Sequence, residues 1–182
     1  IELPIAADCA QTLDALTAAL AAAKRPDFGG WTARATAAKT LFAGQYPDAL
    51  SVGGIHPFHA ARAVAAAAGR DAAYVFDGGE AASWGTATVA VDAPGQVLSH
   101  GYLGCLGIGP GFAIGAAIAH PDRRVVQLTG DGAMGFHIQE FDTMVRHRLP
   151  IVTVILNNQV WGMSIHGQQM MYGANYNVIT KL

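Results

Sequence analysis

Asp131 and Asn158 are the residues whose types and spacing point most directly to chemistry. Asp131 lies within Gly130-Asp131-Gly132, and Asn158 closes Asn157-Asn158. Each follows an apolar run that reads as a strand, Val125 to Thr129 in one case and Pro150 to Leu156 in the other. Between the runs, Phe136 to Arg148 carries Ile138, Phe141, Met144 and Val145 at helical spacing. Such a strand–helix–strand unit joins neighbouring parallel strands. A carboxylate and a carboxamide are thereby predicted at the carboxyl ends of two strands, in the crevice where open α/β sheets bind ligands. Both are hard oxygen donors suited to Mg²⁺, which takes one or two protein carboxylates plus ligand phosphates at ~2.1 Å. The flanking glycines let a phosphate approach the backbone. The chemistry indicated is a diphosphate–Mg²⁺ site.

The elements that must position this pair follow from the remaining text. Pro4 to Asp8 reads as a short buried strand, and Gln11 to Ala23 as a helix with Leu13, Leu16 and Leu20 on one face. These first 24 residues cannot bury their own faces and read as the tail of a preceding domain. Residues 25–49 read as a linker, rich in breakers from Lys24 to Gly30, and a lead-in helix from Trp31 to Phe42. In residues 50–182, an alanine-rich helix from Phe58 to about Gly69 precedes a strand at Tyr74-Val75-Phe76, which ends in the turn Asp77-Gly78-Gly79-Glu80. Gln96-Val97-Leu98 is a further strand, and Pro110 to Ala119 a helix with proline in its first turn. After Asn158 a helix beyond Trp161 gives way to an irregular tail. Alternating strands and helices of this kind predict an α/β fold, a doubly wound parallel sheet with helices on both faces.

Composition narrows the function. The chain has 182 residues, 52% of them apolar and only 13% charged, with a net charge of −2. Sparse charge predicts a surface covered in part by other domains or chains. A near-neutral balance gives no electrostatic case for nucleic acid or an anionic membrane. Gly101 to Ala119 is uncharged, but its many glycines and its proline predict a buried turn and helix rather than a membrane span. Cys9 and Cys105 lie far apart in apolar contexts and are expected as buried free thiols of a cytoplasmic protein.

At these residues the chain resembles the thiamin-diphosphate-dependent enzymes. Gly130-Asp131-Gly132 with Asn157-Asn158 is similar to their signature. His100-Gly101-Tyr102-Leu103-Gly104, Glu140 to Thr143, Asn157 to Gln159, Trp161-Gly162, His166 and Gln168-Gln169 narrow the likeness to the benzaldehyde lyase and acetolactate synthase branch. The resemblance covers about residues 50 to 175. It implies thiamin diphosphate and Mg²⁺ as cofactors, with the metal held by Asp131, Asn158 and the main-chain carbonyl of Val160. It places Gly79, Glu80, Gly130, Gly132, Ala133 and Met134 near the diphosphate. Leu106 would wedge beneath the cofactor and hold its rings bent, and the Gly104 carbonyl would accept from the aminopyrimidine. His100 and Ser164 match positions facing the reacting carbon. Ala82 and Gly167 stand where benzaldehyde lyase has bulky pocket residues, and Met163 where it has a small one. The family's activating glutamate belongs to a pyrimidine-binding domain that this chain lacks, so the chain alone is expected to be inactive. That domain would come from the full-length chain or a partner subunit of a homodimer or homotetramer.

The same residues have plainer readings. Leu106 alone would be core, and His100 alone reads equally as a turn-capping or a catalytic residue. His56 and His59 lack a third ligand for zinc, and Cys105 lacks a clear base. The glycines from Gly101 to Gly111 are out of register for a nicotinamide fingerprint. The leading expectation is lyase or carboligase chemistry on 2-hydroxy ketones or aldehydes. Acetolactate synthase-like condensation of 2-oxo acids or 2-hydroxyacyl-CoA cleavage is the alternative, and a non-catalytic diphosphate-binding subunit is the rival from another class.

Overall fold

The computed structural model describes residues 4–46, 54–173 and 182. The irregular tail predicted near the end of the chain falls on residues 174–181, outside that range. The chain forms two compact units, residues 1–47 and 48–182.

In the first unit, α1 (Cys9–Ala22) and α2 (Gly29–Gly44) carry no buried residue. The predicted strand at Pro4 to Asp8 is corrected: these residues are exposed and lead into α1. The Asp8 carboxylate accepts the Gln11 N–H at 3.0 Å, a side-chain cap that commits the segment to starting a helix. Its alanines also favour a strand poorly. Asp27 accepts the Gly29 N–H at 2.8 Å, so α2 begins within the stretch expected as linker.

The second unit is built on four parallel strands, β1 (Ala73–Phe76), β2 (Val97–Ser99), β3 (Val125–Gly130) and β4 (Ile151–Leu156), in the order β2-β1-β3-β4. Every residue of β1 and the first five of β3 are buried, as expected of central parallel strands covered on both faces. On one face α3 (Pro57–Ala68) and α4 (Glu80–Thr88) place Ala61 and Ala82 against Tyr74, Phe76, Val126 and Leu128. On the other, α5 (Gly109–Ala119) and α7 (Glu140–Arg146) place Ala113, Ala116 and Met144 against Ala73, Val75 and Val125. This is the doubly wound α/β architecture. Small residues let the helices approach closely: a Cβ on Gly85 of α4 would lie 2.7 Å from the Phe76 ring.

Local chemistry sets the helix ends. The His56 ring accepts the Phe58 N–H at 3.2 Å and Pro57 opens α3. Gly69, at φ 85°, closes it. Tyr74 reaches back from β1 to donate its hydroxyl to the Gly69 carbonyl at 2.9 Å. Burial raises the pKa of this phenol, against an opposing pull from Arg124.

Three sequence expectations are revised here. The predicted helix from Phe136 to Arg148 narrows to α7: tight turns fill residues 135–139, and the one-turn α6 (Asp131–Met134) lies before the predicted start. The N–H groups of Phe136, His137 and Glu140 each bond to the carbonyl three residues back. Phe141 and Met144 face the core, whereas Ile138 and Val145 are 56% and 76% exposed, so the apolar spacing does not define one buried stripe. Gly101–Leu103 is an exposed 3₁₀ turn, and the buried residues of the Gly101–Ala119 run are Gly107 and one side of α5. Cys9 and Cys105 are free but exposed, because neither sits on a helix face or strand packed in the core. No helix among the described residues is long and apolar enough to cross a membrane.

Candidate functional site

The strand order makes the site. The chain leaves β1 towards β2 on one side and returns to β3 on the other, so a crevice opens at the carboxyl ends of β1 and β3. The turn after β1, Gly78-Gly79, faces the end of β3: a Cβ on Gly78, at φ 90°, would lie 3.3 Å from the Gly130 nitrogen. Gly130 of β3 is in register with Leu156 of β4. Asp131 and the Asn157-Asn158 pair therefore leave neighbouring strands side by side.

A cavity of about 690 Å³ occupies this crevice. Asp131, Asn158 and Val160 line it, as do Gly130, Gly132 and Ala133 from the end of β3. Gly79 and Glu80 enter from the turn before α4, and Gly104 and Leu106 from the loop before α5. Met163 and Ser164, in the first turn of α8 (Gly162–Tyr172), close another wall. Met134 does not line the cavity: it is buried, and its sulfur receives the Gln127 amide at 3.9 Å. His100 does not line the cavity, and its Nδ1 bonds the Gly101 carbonyl at 3.0 Å within its own turn. Ala82 is corrected as a pocket residue: it is 8% exposed and belongs to the core under α4. Gly167 does not line the cavity either.

The Asp131 carboxylate is aimed by its neighbours. Its Oδ2 accepts the Gln159 N–H at 2.8 Å, while Oδ1 accepts no hydrogen bond among the described residues. Gln159 adopts φ 58°, and Asn157 Oδ1 also accepts its N–H, at 2.9 Å. Asn158 Oδ1 accepts the Val160 N–H at 3.2 Å and, as a carbonyl-type oxygen, keeps a second lone pair. One carboxylate, one carboxamide and a main-chain carbonyl around a glycine-lined crevice fit a hydrated Mg²⁺ carrying a diphosphate.

Two features of the wall were not assigned from sequence. Glu80 hydrogen-bonds His166, tying the start of α4 to α8. Gly162 lies beneath this pair, since a Cβ there would come 2.5 Å from Glu80 Oε2 and 2.6 Å from Asn158 Nδ2. The second is Asp77, fully buried at the end of β1, whose carboxylate accepts three backbone N–H groups. A carboxylate closing an apolar strand is the visible signal. Two of its three partners, Gly107 and Gly109, come from a loop far along the chain, where glycines carry no side-chain signature.

Residues 77–181 match the family described as thiamine pyrophosphate enzyme, C-terminal TPP binding domain. The chain belongs to this family. The thiamin-diphosphate-binding domain is 39% identical, over 98% of the chain, to a probable acetolactate synthase of Mycobacterium bovis, of which it covers 33%. It is 33% identical over 71% of the chain to 2-hydroxyacyl-CoA lyase 2 of Caenorhabditis elegans, covering 20% of that protein. A thiamine diphosphate-dependent 4-hydroxybenzoylformate decarboxylase of Rhodococcus jostii RHA1 superposes on 75% of the chain and 26% of its own, with a TM-score of 0.65 and 28% identity. The chain thus spans about a third or less of the relatives it matches.

Proposed function

We propose that this chain supplies the diphosphate–Mg²⁺ half of an enzyme that breaks or joins a C–C bond next to a carbonyl. The observation that carries this reading is the crevice in which Asp131, Asn158 and Val160 meet the glycines that end β1 and β3. Bound thiamin diphosphate supplies an electron sink for such reactions. Asp131, the Asn158 side chain and the Val160 carbonyl would hold Mg²⁺, while Gly132, Ala133 and the backbone at Gly79 receive the diphosphate. Leu106 and the Gly104 carbonyl form the wall for the cofactor's rings. Ser164 lines the cavity, which supports a role for it in hydrogen-bonding a substrate oxygen.

A neutral 2-hydroxy ketone or aldehyde is the substrate class we favour. Among the described residues, the cavity wall carries the carboxylates of Glu80 and Asp131 but no lysine or arginine. With Asp131 committed to Mg²⁺, Glu80 is the acidic side chain left on this half of the wall, and a neutral carbonyl substrate needs no cationic side chain here. Condensation of 2-oxo acids is the second reading, favoured by the 39% identity to the probable acetolactate synthase. Turnover of benzoin, acetoin, pyruvate and a 2-hydroxyacyl-CoA by the full-length protein, supplied with thiamin diphosphate and Mg²⁺, separates the readings. Acyloin cleavage supports the first; pyruvate consumption without acyloin turnover removes it.

Met163 sets the width of the substrate side. It is 54% exposed, lines the cavity and lies against Gly79, where a Cβ would meet its sulfur at 2.7 Å. Met163→Ala is expected to raise the kcat/KM ratio for benzaldehyde over acetaldehyde by about tenfold or more, tenfold being the lower end of the discrimination of a single methylene in an apolar pocket. An unchanged ratio would remove Met163 from the substrate wall.

A further inference from the structure

We infer that Asp77 is a positioning residue, a buried anionic anchor that fixes the Gly104–Gly109 loop and thereby sets Leu106 against the cofactor's rings. The inference rests on the thiamin-diphosphate reading of the crevice. Asp77 is 0% exposed at the carboxyl end of β1. Its Oδ1 accepts the N–H of Gly78 at 2.7 Å and of Gly107 at 3.0 Å, and its Oδ2 accepts that of Gly109 at 2.7 Å. Three backbone N–H groups satisfy the oxygens of this buried carboxylate, and among the described residues it has no ion-pair partner.

The geometry of the loop shows why the anchor must be so close. Leu106 and Gly104 line the cavity, and the two anchored N–H groups at Gly107 and Gly109 follow directly. A Cβ on Gly109 would lie 2.9 Å from Asp77 Oδ2 and 2.5 Å from the Gln127 amide nitrogen. Gln127, also 0% exposed, backs the anchor from the middle of β3, and its Oε1 receives the Thr153 hydroxyl at 3.4 Å. The loop is thus held by polar bonds to Asp77 at the end of β1, with Gln127 of β3 close against Gly109, whereas the metal side of the crevice is built separately from Asp131 and the segment after β4. Among the described residues, the Asp77 carboxylate makes no hydrogen bond to Asp131, Asn158 or Val160. It reaches a bound molecule through the loop and through the Gly78 turn, which it also holds.

The asymmetry of the three bonds suggests the substitution. Asparagine can turn its single oxygen to the Oδ1 side and keep Gly78 and Gly107, but its NH₂ then opposes the Gly109 N–H. Asp77→Asn therefore releases one end of the loop while leaving the turn at Gly78 held. Binding to the full-length protein with Mg²⁺ present is measured for thiamin diphosphate and, separately, for inorganic pyrophosphate, which lacks the rings. Losing a charge-assisted bond at a buried group predicts about a tenfold or greater loss for thiamin diphosphate. Pyrophosphate should bind within about threefold of the unchanged protein, because only the ring wall has moved. In a Leu106→Ala background, Asp77→Asn should cost little more, since the residue through which it acts is gone. Equal losses for both ligands, or full additivity with Leu106→Ala, would overturn the proposal. Should Asp77→Asn not fold, Gly109→Ala tests the same anchor with the charge retained, and the same split between ligands is expected. Failure of the unchanged protein to bind thiamin diphosphate would instead overturn the cofactor reading itself.

Discussion

Asp131→Ala is expected to lose Mg²⁺-dependent binding of thiamin diphosphate by about a hundredfold or more, equivalent to roughly 2.7 kcal/mol. Asp131 is the only charged group among the three protein donors, and a hard dication is held chiefly by carboxylate charge and ligand phosphate. The substitution should spare the fold. Gln159 loses one acceptor, yet Asn157 Oδ1 still receives the same N–H at 2.9 Å, so the turn after β4 keeps a partner. Asp131 also begins α6 after β3 has ended, outside the sheet's hydrogen bonds. Calorimetric titration of the full-length protein, with Mg²⁺ and with chelator, measures the effect. Affinity that is unchanged in Mg²⁺ would place the metal elsewhere, and a large fall in thermal stability without ligand would make Asp131 a folding residue instead.

The framework of this crevice could be read from sequence because its parts are local. β1, β3 and β4 are apolar runs ending in glycine or polar residues, and their parallel pairing follows from the helices between them. What lay outside local reading depended on which way a side chain turns. Val145 has the spacing of a core residue but faces solvent, because the chain spends Gly135 to Gln139 in turns and α7 starts with a different phase. Ala82 sits two residues beyond Glu80, yet the helix rotates it from the cavity to the core. His100 was matched to the reacting centre, and the structure brings its ring to its own turn. Asp77 read as an ordinary turn residue because its partners are N–H groups of Gly107 and Gly109, which every residue but proline possesses. A backbone donor leaves no trace in composition.

The same loop carries the largest expected effect on stability. Gly107 has φ 87°, and a Cβ on it would lie 2.6 Å from Phe136 Cβ and 2.8 Å from His137 Nδ1. Phe136 Cβ is fixed to its own backbone, so rotating a side chain cannot relieve the overlap. A left-handed backbone costs an L-residue about 1 kcal/mol or more, and overpacking a further 1–3 kcal/mol. Gly107→Ala should therefore destabilise the protein by about 2–4 kcal/mol, or roughly 5–15 °C in Tm at the scale of this domain. Gly115→Ala is the matched control: it lies in the body of α5 with nothing within 4 Å of its would-be Cβ, and should gain up to about 1 kcal/mol of helix propensity. Thermal unfolding of both variants checks the contrast. Similar Tm values for the two would mean that the loop can move away from Phe136 at little cost, and the rigid ring wall assigned to Leu106 would go with it. A large fall confined to Gly107→Ala would instead mean that the turn behind Leu106 is held by sterics at Phe136 as well as by the Asp77 carboxylate, so the loop has one position available when a cofactor arrives.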